Sequence, residues 1–169
     1  MIVLCLVNTY DKLKLHEIHL RSIARVAPLC FAFDFHLALL DFPFWKEVKE
    51  VVEEVSSYTT IGEHGKYLIE LAEKGKVHLI EKIPAHFGEV VATTSKPDKK
   101  KLLSYRDLTK LRSATFLIGL GRRGLPKEML KTAKYHFDVT QQGVSLETCT
   151  AIGAIAMAVY TSRVIKWRT

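Results

Sequence analysis

The chain opens on a short, near-continuous apolar run, residues 1–8 (MIVLCLVN), too short for a typical helix and with no polar face. Such a run predicts a strand buried on both sides, as in a parallel sheet. The same signal returns in CFAFDF (30–35), VHLI (77–80), EVVATT (89–94), ATFLIGL (114–120) and YHFDVT (135–140). Helical spacing fills the intervals. Leu15, Ile18 and Leu20, set beside charged neighbours, predict a helix over 13–26 that Pro28 ends. Val48, Val51, Val52 and Val55 predict another over 44–57. Further helices are predicted over 62–74, stopping at Gly75, over 104–111, and over 126–133. A last, long helix is predicted over 145–166, with Ser145 placed to cap it. Strands alternate with helices throughout, so the pattern predicts a single α/β domain, residues 1–169, with a mainly parallel sheet flanked by helices.

The final helix is apolar nearly all round. Ala151, Ile152, Ile155, Ala156 and Val159 form one broad face, and Leu146, Ala154, Ala158 and Ile165 extend it. A small domain has difficulty covering such a helix alone, so a second copy of the chain is the expected cover.

Composition narrows the class. The chain is 48% hydrophobic and 25% charged, which fits a packed globular domain and excludes a disordered one. No apolar run reaches the roughly 18 residues that cross a bilayer, and the first ten residues lack the basic start of a signal peptide. Cys5, Cys30 and Cys149 have no metal-ligand spacing, and their odd number argues against a disulfide framework. Free thiols in a reducing compartment, and hence a cytoplasmic protein, are the expectation. Asn8 is the sole asparagine and Gln141 and Gln142 the sole glutamines, a bias of thermophilic proteins.

The net charge is +7, unevenly placed. Residues 96–134 hold twelve of the 25 Lys and Arg residues but only three of the 18 Asp and Glu. A concentrated basic stretch is the electrostatic footprint of a polyanion-binding face, most often for nucleic acid. The plain alternative is a solvated lysine-rich surface. The candidates for phosphate contact are Lys99, Lys100, Lys101, Arg122, Arg123 and Lys127.

Within this stretch, residues 119–124 (GLGRRG) match the Gly-x-Gly-x-x-Gly of a dinucleotide turn, after a strand and before a helix. Three features oppose a Rossmann reading. The turn comes late in the chain instead of opening it, Pro126 delays the helix, and Asp138 lies nearer than the expected ribose-binding acid. A purely structural turn is the second possibility. A third takes in the downstream segment as well. Residues 115–151 run as apolar strand, glycine loop ending Gly-Leu-Pro, short helix, strand, Gly-x-Ser-Leu, and a long Ala-rich helix.

That series resembles the C-terminal half of the SPOUT (α/β-knot) methyltransferases, and the whole chain resembles an archaeal family of that superfamily. The resemblance implies a C-terminal trefoil knot, S-adenosylmethionine (SAM) as cofactor, an RNA substrate such as tRNA or rRNA, and a homodimer with active sites at the subunit interface. It places Thr93, Thr94 and Ser95 in a first cofactor loop and Ile118, Gly119, Gly121 and Gly124 in a second. Thr140, Gly143, Val144, Ser145 and Leu146 fall in a third, with Cys149 one turn into the last helix. The adenine is expected between 117–121 and 139–146. Replacing Gly119 by a bulky residue is expected to abolish cofactor binding with the fold largely intact.

In the ribose-methylating branch an Asn precedes a catalytic Arg by six residues. Arg21 matches the Arg, whereas Leu15 occupies the Asn position. Gly121 stands where a Glu is usual and Glu147 where an Asn is usual. Base and ribose methylation therefore both stay open. The expected function is SAM-dependent RNA methylation. The alternatives are a non-catalytic RNA-binding or SAM-sensing protein and, third, a nucleotide-dependent enzyme using the glycine turn. His16 and His19 share a helix face, but no further ligand accompanies them, so no metal is expected.

Overall fold

A computed structural model describes residues 1–58 and 65–165. Six parallel strands form one sheet in the order β3-β2-β1-β5-β4-β6. They are β1 (Ile2–Val7), β2 (His36–Leu40), β3 (Val77–Ile80), β4 (Glu89–Thr93), β5 (Ala114–Gly119) and β6 (Tyr135–Phe137). Five α-helices connect or follow them: α1 (Glu17–Phe33), α2 (Val48–Tyr58), α3 (Gly65–Glu73), α4 (Lys127–Thr132) and α5 (Thr148–Val164).

The parallel strands read as continuous apolar runs because both faces of the sheet are covered, unequally. Leu4 and Leu6 of β1 point to a large core shared with Ile23, Val26 and Cys30 of α1, Val51 and Val55 of α2, Leu68 and Leu71 of α3, and Ile152, Ile155 and Val159 of α5. Val3, Cys5 and Val7 point to a thinner layer of Phe87, Leu125 and Ala133, with Met129 and Leu130 of α4. Burial pushes the Cys5 and Cys30 thiols far up, which leaves them un-ionised.

Several sequence boundaries are corrected. Pro28 does not end α1 but lies inside it, and Cys30–Phe33 continue the helix instead of starting a strand. The strand comes later, at His36–Leu40. A mid-helix proline costs roughly 3 kcal/mol, and the burial of Val26, Ala27 and Cys30 around it holds the helix through. The apolar residues of this stretch divide between the last turn of α1, where Cys30 is buried and Phe31 and Phe33 are half-buried, and the buried Phe35 that leads into β2, a mixture short-range periodicity cannot tell from a strand. α2 starts at Val48 rather than 44, and α3 is described from Gly65. The predicted start of that helix at 62 lies outside the described residues, as does the predicted end of the last helix at 166. The expected helix at 104–111 is a short 3-10 turn, Asp107–Lys110, and β6 ends at Phe137.

Ser145 does not cap α5. Glu147 does, its carboxylate accepting from the amides of Cys149 (3.0 Å) and Thr150 (3.2 Å). The buried stripe of α5 is Thr148, Ile152, Ile155, Ala156, Val159 and Ser162, so Ala151 sits at its edge rather than in it. Met157, Val164 and Ile165 are exposed.

The segment joining β4 to β5 does not go straight across. Residues 101–103 run along the outer edge of β6: His136 donates its amide to Lys101 (2.9 Å), and Leu103 donates to His136 (2.8 Å). β6 thus lies between β4 and a part of the β4–β5 connection. The buried ring of His136 ties the connection further, with Nδ1 accepting from the Asp98 amide (3.0 Å) and Nε2 donating to the Leu130 carbonyl (2.7 Å). Among the described residues no helix is long and apolar enough to cross a membrane.

Candidate cofactor and RNA site

The strand order reverses direction between β1 and β5, whose carboxyl ends meet at Val7 and Gly119. In an open α/β sheet a ligand crevice forms at such a switch point, outside the carboxyl ends. Four loops converge there, after β1, β4, β5 and β6.

Hydrogen bonds lace the last three together. Thr93 Oγ1 donates to the Leu117 carbonyl (2.7 Å), and the Thr94 amide donates to Phe137 (3.0 Å). The hydroxyls of Ser95 and Ser145 pair at 2.8 Å. The Gly121 amide donates to Thr148 Oγ1 (3.3 Å), which joins the glycine turn to the start of α5. The sequence-predicted residues of all three loops are therefore neighbours, while Cys149 stands half-buried in the first turn of α5.

The glycines have separate reasons. A Cβ on Gly119 would lie 2.8 Å from the carbonyl carbon of Gly124, so the turn folds back on its own backbone there. Gly119 is thus required by the fold itself, which corrects the expectation that a bulky replacement would spare it. Gly124 has a φ of +63° and open space where a Cβ would stand. Gly121 and Gly143 also have positive φ.

Asp138 organises the third loop. Its carboxylate accepts from the Thr140 amide (3.0 Å) and hydroxyl (2.9 Å) and from the Gly143 amide (2.7 Å). It is 4% exposed and turned inward to its own loop, which opposes the ribose-binding role a dinucleotide site would give it. Val144 is left 54% exposed at the rim.

These loops fit the adenosyl part of SAM. They offer peptide groups, an open glycine surface at Gly124 and a partly exposed apolar rim at Leu146 and Val144, while the Ile118 side chain, 2% exposed, lies in the core behind them. Among the described residues no group of three His, Cys, Asp or Glu side chains is arranged to hold a metal.

The β1 side is built differently. Asn8 is 1% exposed, and its Oδ1 accepts from the amides of Tyr10 and Asp11 (each 3.3 Å) and from His19 Nε2 (2.9 Å). His19 Nδ1 accepts from the His16 amide (2.9 Å), which assigns the proton to Nε2. Burial, then the neighbouring His16, lower the His19 pKa below its ordinary value. His16 Nε2 bonds Asp11 Oδ2 at 2.7 Å, and Asp11 is held down to about 2, first by that bond and then by the Leu13 and Lys14 amides. Thr9 Oγ1 donates to the Leu120 carbonyl, so this cluster abuts the glycine turn. The motifs in the sequence do not mark Asn8, Tyr10, Asp11 or Thr148 for the site, nor Asp138 for its loop-organising role. The one available signal was Asn8, the sole asparagine, at the end of an apolar strand.

Arg21 lies on α1 with Nη1 3.8 Å from Glu17, and among the described residues its buried Nε has no partner. Among the described residues its polar contact is with Glu17 and not with the three loops. Of the basic candidates, Arg122, Arg123, Lys127, Lys99 and Lys100 are exposed. Lys101 is committed elsewhere: its Nζ donates to the carbonyls of Leu130 (3.3 Å), Lys131 (2.6 Å) and Ala133 (2.9 Å), closing the end of α4.

The architecture is that of the SPOUT methyltransferases. A probable methylase family protein of Haemophilus influenzae superposes with a TM-score of 0.62 at 14% identity, covering 96% of this chain and 66% of that one. A TrmH/SpoU tRNA modifying enzyme of A. aeolicus gives 0.58 at 15%, covering 96% and 75%. The SpoU methyltransferase AviRb of Streptomyces viridochromogenes, in complex with AdoMet, gives 0.57 at 14%, covering 97% and 58%. The chain thus spans about two thirds of the Haemophilus protein's length. In sequence, the chain belongs to the family described as proteins of unknown function (DUF531), which matches residues 2–160. A relative from Methanocaldococcus jannaschii, described as uncharacterized, is 46% identical over 162 residues, covering 94% of this chain and 93% of that one.

Proposed function

We propose that the protein is a SAM-dependent RNA methyltransferase. The observation that carries this reading is the convergence of three loops, two of them glycine-bearing, at the carboxyl ends of β4, β5 and β6, in a sheet of SPOUT architecture. Thr93, Thr94 and Ser95, then Ile118, Gly119, Gly121 and Gly124, then Thr140, Gly143, Val144, Ser145 and Leu146, with Cys149 behind, would hold the cofactor. When bound, SAM supplies an electrophilic methyl group. The chain's own work is to exclude water around it and to hold the acceptor nucleotide in line. Arg122 and Arg123 in the glycine turn, Lys127 just after it, and Lys99 and Lys100 in the β4–β5 connection present exposed positive charge and would hold RNA phosphates.

The enclosure of β6 by residues 101–103 supports a C-terminal knot. The exposed Met157 and Val164 on α5, with Ile165 just after it, support a homodimer, in which Arg21 would approach the other subunit's pocket. The expected results are calorimetric binding of SAM, transfer of label from SAM to bulk tRNA or rRNA, and a dimer mass by light scattering. SAM binding absent while ATP or NAD binds would overturn the cofactor assignment.

A second reading is favoured by Glu147 and Gly121. The Glu147 carboxylate is occupied as the α5 cap, and Gly121 brings no carboxylate to the turn. A protein that binds SAM and RNA without transferring the methyl group accounts for both. SAM binding with no label transferred to any RNA would establish that reading over the first.

A further inference from the structure

Tyr10 is an exposed aromatic ring held with unusual firmness. It is 53% exposed. His16 and His19 stand edge-on to it, at centroid distances of 5.1 and 5.8 Å and interplanar angles of 86° and 77°. On another side it lies over Gly121, where an added Cβ would come within 3.2 Å of Tyr10 Cδ2. The Tyr10 amide is bonded to Asn8 Oδ1. Among the described residues the Tyr10 hydroxyl has no hydrogen-bond partner.

The support behind the ring is expensive. Asn8 and His19 are 1% and 0% exposed, and burying such groups costs several kcal/mol unless every polar atom is bonded. Here they are bonded: both His19 nitrogens are used, and Asn8 Oδ1 takes three donors. A buried, satisfied polar network is rigid. What it delivers is a half-exposed ring at one fixed place, beside Gly121 and the exposed Arg122 and Arg123. An apolar ring fixed in water serves recognition better than stability.

We infer that Tyr10 is the stacking platform for a base of the RNA, the contact that places the acceptor nucleotide beside the cofactor loops. A nucleobase fits because any base has a π-face to lay on an aromatic ring, and flanking arginines take the adjoining phosphates. The cofactor's adenine is the less suitable occupant. Gly121 turns its amide to Thr148 at the start of α5 and its Cα to Tyr10, so the ring stands on the β1 side of the turn, across from the Ser95–Ser145 pair. This inference rests on the proposed RNA binding.

The test compares Tyr10→Ala, Tyr10→Phe and the double change Arg122→Ala/Arg123→Ala against the unchanged protein. Bulk tRNA and a short oligoadenylate serve as probes over a series of salt concentrations. Removing the ring is expected to weaken binding about 5- to 150-fold at every salt concentration, from roughly 1–3 kcal/mol per stacked base. The slope of log affinity against log salt stays the same, and Tyr10→Phe keeps most of the affinity. The double arginine change instead lowers that slope by up to about two. SAM binding and the thermal midpoint of Tyr10→Ala should match the unchanged protein. RNA affinity that Tyr10→Ala leaves intact would overturn the platform while leaving the parent reading standing. A loss of SAM affinity in Tyr10→Ala would give the ring to the cofactor and equally overturn it. Failure of the unchanged protein to bind either RNA would remove the parent reading and the platform together.

Discussion

On the β4–β5–β6 side the site is made of backbone: glycines, peptide amides and a few hydroxyls, bent into three interlocked turns. On the β1–α1 side it is made of side chains, with Asn8, Asp11, His16 and His19 bonded into one network behind Tyr10. A cradle of main-chain groups suits a ligand whose shape never changes, because the contacts do not depend on rotamers. A side-chain frame is the part a protein can alter without refolding its loops. The sequence departures fall on both halves: Leu15 stands for an Asn on the side-chain half, while Gly121 and Glu147 stand for a Glu and an Asn on the backbone half.

The sharpest way to break this contrast is at Gly119. Gly119→Val drives a side chain into the Gly124 backbone and should cost at least about 2 kcal/mol in urea unfolding. Gly124→Ala, in open space but at positive φ, should cost only about 1 kcal/mol. Equal costs would mean the turn is not closed as described.

Asn8→Ala comes next. It strands a buried His19 and should cost about 1–3 kcal/mol by the same measurement. The network also gives a pH dependence. The folded pKa of His19 lies below its ordinary 6.5, as do those of His36 and His78, whose rings pair at 2.9 Å and are lowered first by burial. The unfolded state therefore binds more protons, so stability is full above about pH 6.5 and falls as the pH drops through the folded values. Denaturation midpoints at a series of pH values read this directly. Flat stability from pH 7 to 5 would contradict the burial of these rings.

The cap of α5 gives smaller effects. Glu147→Ala should cost about 1 kcal/mol. Ser145→Ala, despite its place in the Gly-x-Ser-Leu motif, should stay within about 0.5 kcal/mol. The reverse order would restore Ser145 as the cap.

What the sequence determined by itself is the class of fold and the glycine turns that line the candidate site. Buried parallel strands must be apolar on both faces, and turns that approach their own backbone must carry glycine, so both leave marks that short-range reading finds. Arg122 and Arg123 were legible for the same reason, as a local excess of charge. The limits of α1 were not legible, because a buried helix stripe and a buried strand are equally apolar over six residues, and tertiary packing carried the helix through Pro28. Nor were the capping by Glu147 or the recruitment of Lys101 as a helix stop, since each depends on partners brought together only by folding. The Asn8–His19 bond spans eleven residues, and Gly121 meets Thr148 across 27. No periodicity encodes such meetings, and the strand order that makes them neighbours is a property of the sheet as a whole.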